Sequence, residues 1–277
     1  MQNIELLISG NVDKEKIEKI NQRINLIEDN KMISENKLVL KLDTNGLSLI
    51  NNETELREDF SKLLNRIKPN NLNSESIIKA AKFKEKKEDL VAIDATAGLG
   101  EDSLLLAAYG FKVELFEKNP IIALLLEDAI ERAMEIPELV NIVSRMKVHF
   151  GDSIIEMPKL KINPDVILLD PMFPERKKKS LIKKKFQILH LLEEPCNNEK
   201  ELLDSAILLK PKKIIIKRPI NADKLGDIKP SYSIKGDTIR YDCIYINNDI
   251  RWCFKFVFYR KLKYIILKSR VSRANEA

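Results

Sequence analysis

The stretch Leu90-Val-Ala-Ile-Asp94-Ala-Thr-Ala-Gly98-Leu-Gly100-Glu-Asp102 runs from an apolar strand directly into a helical segment, and the rest of the chain is read outward from it. Leu90–Asp94 has strand composition, and Asp102–Ala108 reads as the helix that follows. Between them, Gly98 and Gly100 permit a tight turn and close approach of a ligand to the backbone. The first amides of the helix are then aimed back at the loop. The spacing is D-x-x-x-G-x-G, and it lacks the third glycine with which dinucleotide dehydrogenases admit a pyrophosphate. Asp102 would repel phosphate. An acid there suits a ligand with an amino-acid portion and a cationic amine.

Downstream, short β-branched or apolar runs at Lys112–Glu117, Lys147–Phe150, Asp165–Asp170 and Lys213–Lys217 alternate with helical stretches at Ile121–Met134, Ser180–Glu193 and Lys200–Leu209. This rhythm predicts an α/β fold, a parallel sheet with helices on both faces. Tyr232–Lys235 and Arg240–Ile246 follow without room for a helix between them, and suit an antiparallel pair at one sheet edge. Upstream, Ile4–Ile8, Leu38–Leu42 and Gly46–Ile50 read as short strands and Asp13–Ile24 as a polar helix, together a small α+β region. A helix is expected over Leu56–Ile67, broken at Lys68-Pro-Asn-Asn-Leu-Asn, and Ser74 reads as the cap of another running to about Lys82. The expected division is 1–70, 71–250 and a C-terminal extension over 251–277.

Composition narrows the classes. With 44% hydrophobic and 32% charged residues among 277, the chain has a core and is not intrinsically disordered. The apolar runs Leu104–Ala108 and Ile121–Leu126 fall far short of the ~20 residues of a membrane span. No basic segment followed by an apolar block opens the chain, and Cys196, Cys243 and Cys253 show no CxxC spacing. A reduced, cytoplasmic protein without membrane or metal is expected. The net charge of +6 is mild, so only its distribution can inform.

Ligands of open α/β sheets bind at the carboxyl ends of the strands. Glu117 ends the second strand of the alternating region, 23 residues after Asp94, where an acid hydrogen-bonds ribose hydroxyls. Asp152 follows the third and suits an adenine amino group. The fourth ends Asp170-Pro171-Met-Phe173-Pro174. Asp170 and the carbonyl of Pro171 can accept hydrogen bonds from an exocyclic amine and orient it toward a methyl donor. Phe173 can stack on the base, and catalysis then works by positioning. Next come seven basic residues in ten, among them Arg176, Lys177, Lys178, Lys179 and Lys183, placed to meet flanking phosphates. A second basic cluster, Lys210–Arg218, brings Lys217 and Arg218 to the same edge. His149 and His190 are assigned no role.

D-A-T-A-G-L-G-x-D, L-F-E-K-N-P-I-I-A-L-L-L-E-D, L-D-P-M-F-P with its lysine-rich sequel, I-K-R-P and K-G-D-T-I-R-Y-D-C-I-Y together resemble the ribosomal small-subunit methyltransferase J family, from about Leu56 to Tyr245. The resemblance implies a Rossmann-like class I methyltransferase fold. It also implies S-adenosylmethionine (SAM)-dependent methylation of guanine N2 in small-subunit (16S) ribosomal RNA, with that RNA or the small subunit as partner. Carried over residue by residue, it implies cofactor contacts at Glu101, Asp102, Glu117, Lys118, Asp152, Ser153 and Asp170. The chain departs from the family at Ser61–Asn73, where an Arg/Gly-rich segment is expected, and at Glu101, where a basic residue is. Residues 247–277 have no counterpart. The alternatives are a methyltransferase of adenine or another nucleic-acid amino group, and a ribosome-assembly factor whose catalysis has lapsed.

Overall fold

The computed structural model describes residues 4–26, 38–51, 54–85, 88–171, 191–192, 198–226 and 228–246. The alternating region forms a seven-stranded sheet from β5 (Val91–Asp94), β6 (Lys112–Glu117), β7 (Met146–Phe150), β8 (Val166–Leu169), β9 (Lys213–Pro219), β10 (Tyr232–Lys235) and β11 (Ile239–Tyr245), in the order β10-β11-β9-β8-β5-β6-β7. β7, β6, β5, β8 and β9 are mutually parallel, and β11 runs antiparallel to both β9 and β10. From β5 the chain steps first to β6 on one side and later to β8 on the other. The crevice beyond Asp94 and Leu169 is therefore the topological switch point, where such sheets bind ligands.

All four residues of β8 are buried, because helices cover both faces of the sheet. On one side the helix Glu101–Tyr109 contributes Leu104, Leu105 and Leu106 to a core with Val113, Leu115 and Ile215. On the other, the helix Glu199–Leu208 packs Leu202, Leu203, Ala206 and Ile207 against Ile93, Ile167 and Ile214. The successive β-branched residues Ile214, Ile215 and Ile216 divide between those two cores, which is the period-2 geometry of a strand buried on both faces.

The amino-terminal segment makes its own four-stranded sheet, β1 (Glu5–Ile8), β2 (Leu38–Asp43), β3 (Gly46–Asn51) and β4 (Thr54–Leu56), in chain order. Its core residues Leu40, Leu42, Leu47 and Leu49 join Ile121, Ile122, Leu124 and Leu125 of the helix Pro120–Ala133. That helix starts sharply, with Asn119 accepting from the amides of Ile121 and Ile122 and Pro120 in its first turn. Ion pairs from the helix Lys14–Ile24 hold the small sheet on it, with Lys16 Nζ 2.6 Å from Asp128 and Arg23 3.3 Å from Glu127.

Two expectations are corrected. Leu56–Ile67 is not a helix. Leu56 pairs with Leu49 in β4, Asp59 then caps a short 3-10 turn at Phe60–Leu63, and turns complete the segment. Ser74 is not a cap either. Its hydroxyl donates to Asn71 O, and the helix Ser76–Ala81 begins after Glu75. The helix expected at Ser180–Glu193, apart from Leu191 and Leu192, and the tail from Asn247 lie outside the described residues.

Candidate active site

The loop after β5 turns through Gly98 at φ +54° and Gly100 at φ +80°, left-handed conformations that side chains rarely adopt. The two glycines serve different needs. A Cβ at Gly100 would stand 2.6 Å from Leu126 Cδ1, so the close approach of the loop to the helix Pro120–Ala133 requires glycine. A Cβ at Gly98 would meet nothing within 4 Å, so that position opens to the crevice.

Carboxylates fasten this loop from within. Asp94 is buried, and its oxygens accept from the Ser103 hydroxyl at 2.7 Å and the Thr96 amide at 3.2 Å. Burial pushes its carboxyl up to about 7, and the negative charges of Asp102 and Asp170 add to that. Glu117 accepts from the amides of Gly98 at 3.0 Å and Asn119 at 2.7 Å, tying the end of β6 to the glycine loop. Asp152 caps the turn after β7 by accepting from Ile154 N, with Ser153 buried beside it. Lys118 is exposed. Glu101, also partly exposed, pairs with Arg66, whose guanidinium forks onto Glu75. The Ser61–Asn73 segment thus reaches the site through an arginine.

Asp170 lies across the crevice from the loop. Its amide donates to Thr96 Oγ1 at 2.7 Å, so the loop and the end of β8 are joined directly. Its carboxylate, about a third exposed, meets Lys217 Nζ at 2.9 Å, and the same ammonium lies 2.9 Å from Asp102 Oδ2. Tyr241 OH stands 3.5 Å from that Asp102 oxygen. Desolvation raises the Asp170 carboxyl above its ordinary value against the opposing pull of Lys217. Desolvation also acts to lower Lys217, but Asp170 and Asp102 outweigh it and hold the ammonium well above the usual lysine range. Pro171 is buried behind Asp170.

Lys217 and Arg218 were expected at RNA phosphates, and the structure corrects both. Lys217 is turned inward between two carboxylates. Arg218 is 6% exposed, its guanidinium donating to Asp223 O and Glu199 Oε1. In the same cluster Lys213 is fully buried, donating to Ala80 O and Lys82 O and lying over the ring of Phe83. Phe173, Arg176, Lys177, Lys178, Lys179 and Lys183 lie outside the described residues. Ser103, Thr96 and Tyr241 were not singled out from sequence. Ser103 alone carries a local signal, a hydroxyl three residues beyond a loop glycine. Among the described residues no group of acids, histidines or cysteines could hold a metal ion, and no helix is long and apolar enough to cross a membrane.

The strand order, the antiparallel edge and the acid-rich switch point define a Rossmann-like class I methyltransferase. A SAM-dependent methyltransferase from Neisseria gonorrhoeae superposes with a TM-score of 0.66 at 25% identity, covering 88% of this chain and 96% of that one. The family described as "Putative SAM-dependent methyltransferase" matches residues 15–247. Ribosomal RNA small subunit methyltransferase J of Acinetobacter baumannii (strain AYE) is 36% identical over 247 residues, 84% of this chain and 85% of that protein. Its namesake in Neisseria meningitidis serogroup C is 34% identical over 208 residues, 74% of this chain and 82% of that protein. The chain belongs to the ribosomal RNA small subunit methyltransferase J family of SAM-dependent enzymes.

Proposed function

We propose that the protein transfers a methyl group from SAM to the exocyclic N2 of a guanosine in small-subunit ribosomal RNA. The observation that carries this reading is the placement of Asp170, at the switch point, beside the open Gly98 loop and tethered to it through Thr96. The relatives' names supply the ribosomal RNA substrate.

The donor set fits SAM. Glu117 holds the glycine loop through the Gly98 amide and brings a carboxylate, the group that ribose hydroxyls donate to, to the end of β6. Asp152 stands at the next strand end for the adenine amine, with Lys118 and Ser153 flanking the base. Asp102, at the start of the helix after the loop and beside Glu101, suits an ammonium. When bound, SAM supplies an electrophilic methyl on a sulfonium. The protein's own part is positioning. The guanine N2 lone pair is delocalised into the ring and is a poor nucleophile, so the amine must be held in line with the methyl. Asp170 and the Pro171 carbonyl accept its two hydrogens, and the Asp170 charge stabilises the positive charge that develops on nitrogen. Lys217 fixes the carboxylate that does this. Phe173 stacks on the base, and the Arg176–Lys185 run meets the flanking phosphates.

Nucleoside analysis of small-subunit ribosomal RNA from cells with and without the protein tests the reading. Loss of one N2-methylguanosine, restored by purified protein and SAM, is expected. Loss of a methyladenosine would favour an adenine amine, and SAM binding without any methyl transfer would favour a lapsed assembly factor.

A further inference from the structure

A cleft of about 670 Å³ opens along the carboxyl edge of the sheet beyond β9, lined by Asp223, Lys224, Lys229, Lys235, Arg240 and Asp242 among others. It lies on the same edge as Asp170. Leu169 pairs with Ile216, so Asp170 is level with Lys217, and the chain leaves β9 only two residues later to form the cleft wall. At the ~4.8 Å spacing of neighbouring strands, β11 and β10 lie roughly 10 and 15 Å from β8.

The floor is rigid. Arg240 is buried and its Nε grips both oxygens of Asp242 at 3.0 Å, while its Nη1 donates to the carbonyls of Pro219 and Ile220 and its Nη2 to that of Asp223. Ser233 completes the floor, donating to Asp242 at 2.6 Å. Arg240 and Asp242 belong to the K-G-D-T-I-R-Y-D segment, and the methyl-transfer site gives neither of them a task. They hold the loop that carries Lys224 and set Lys235 directly opposite Arg240 across the strand pair. Lys224, Lys229 and Lys235 are exposed and make no ion pair among the described residues. Asp242 is neutralised by Arg240, so among the described residues of the lining three lysines stand against one further acid, Asp223. Lys213, Lys217 and Arg218 turn inward, whereas these three lysines reach solvent.

We propose that this cleft binds backbone phosphates of the RNA strand a few nucleotides from the guanosine at Asp170. This rests on the function proposed above and adds the path the strand takes across the protein. A concave wall with unpaired ammonium groups on a fixed backbone suits a polyanion whose register must be set relative to a reacting base.

The test is RNA affinity against salt for the full chain carrying Lys224→Ala, Lys229→Ala and Lys235→Ala, with a small-subunit ribosomal RNA fragment that the wild type methylates. The log–log slope should fall by roughly 0.7 for each phosphate no longer neutralised, about 2 in all. The KM for RNA should rise and SAM affinity by calorimetry should stay unchanged. Lys147→Ala with Lys161→Ala, on β7 at the far edge and ahead of β8, controls for net charge and should leave the slope as it was. An unchanged slope in the triple variant, or an equal fall per residue in the control, overturns the cleft assignment while the function stands. Wild-type protein that neither binds nor methylates the RNA overturns both.

Discussion

Lys217 Nζ sits 2.9 Å from Asp170 Oδ2, level with it across two parallel strands, and the pair closes one wall of the crevice. The carboxylates of Asp102 and Asp170 meet there on Lys217, and Thr96, donating its amide to Asp94 and accepting from the Asp170 amide, ties Asp94 to the same wall. Without Lys217, the charge that Asp170 presents to an incoming amine would be opposed by its own neighbours.

Lys217→Met should therefore act on ionisation as well as on geometry. Asp170 is already raised by burial, and removing the cation raises it further, so the carboxylate takes up its proton at higher pH than in the wild type. Turnover at saturating SAM and RNA should fall most on the acid side and recover as pH rises, moving the acid limb of the rate profile upward. A wild-type midpoint in the variant would show that the pair is not used in catalysis.

Asp170→Asn keeps an acceptor oxygen and removes the charge. Removing a charge-assisted hydrogen bond costs roughly 1.5 to 3 kcal/mol, about one to two decades in rate. Single-turnover methylation at saturating SAM separates this effect from any change in cofactor affinity. A wild-type rate would make the D-P-M-F-P turn structural.

Asp94 predicts a pH dependence of stability. Its folded carboxyl, at about 7, lies above the ordinary 3.8, so the folded state holds the proton more tightly. The associated stability is present below about pH 4 and is lost as pH rises through about 7, on the order of 4 kcal/mol for a buried group. Asp94→Asn, neutral throughout, escapes that loss. Denaturant unfolding of both proteins at pH 5 and pH 8 should show the variant gaining on the wild type at the higher pH. A difference that is the same at both values would contradict the prediction.

Alanine at the two loop glycines should separate fold from ligand. Gly100→Ala drives a methyl against Leu126 in a filled core at positive φ and should lower stability by about 1–3 kcal/mol. Gly98→Ala meets open space, so its stability cost is the left-handed backbone alone, about 1–2 kcal/mol. In the proposed cofactor site that open space is the one SAM takes. Calorimetry should find the larger drop in SAM affinity in Gly98→Ala and thermal unfolding the larger drop in stability in Gly100→Ala. The reverse order would misplace the ligand.

The sheet was legible because its signals are local. Apolar runs such as Val166–Leu169 must be buried on both faces, so their pattern alone locates strands to within a residue or two at most ends. Leu56–Ile67, by contrast, has a helical apolar spacing and is not a helix. Its first residue is captured by pairing with Leu49, a contact that no window of local sequence contains.

The acids at the strand ends were found from sequence because topology alone puts them at one edge. What the basic residues do was not. Lys213, Lys217 and Arg218 stand in a run that reads as a cationic surface, yet each turns inward to a partner more than a strand's length away in sequence: Ala80, Asp102 and Glu199. A lysine's charge is written in the sequence, but its direction depends on which face of the strand it occupies and which carboxylate or carbonyl the fold brings there. Sequence by itself therefore determined the sheet, the glycine loop and the ring of acids at its edge. Tertiary structure alone decided that Lys217 belongs to Asp170 and that Lys224, Lys229 and Lys235 line one cleft beyond β9, because long-range pairing sets where a flexible charged side chain finds its lowest energy.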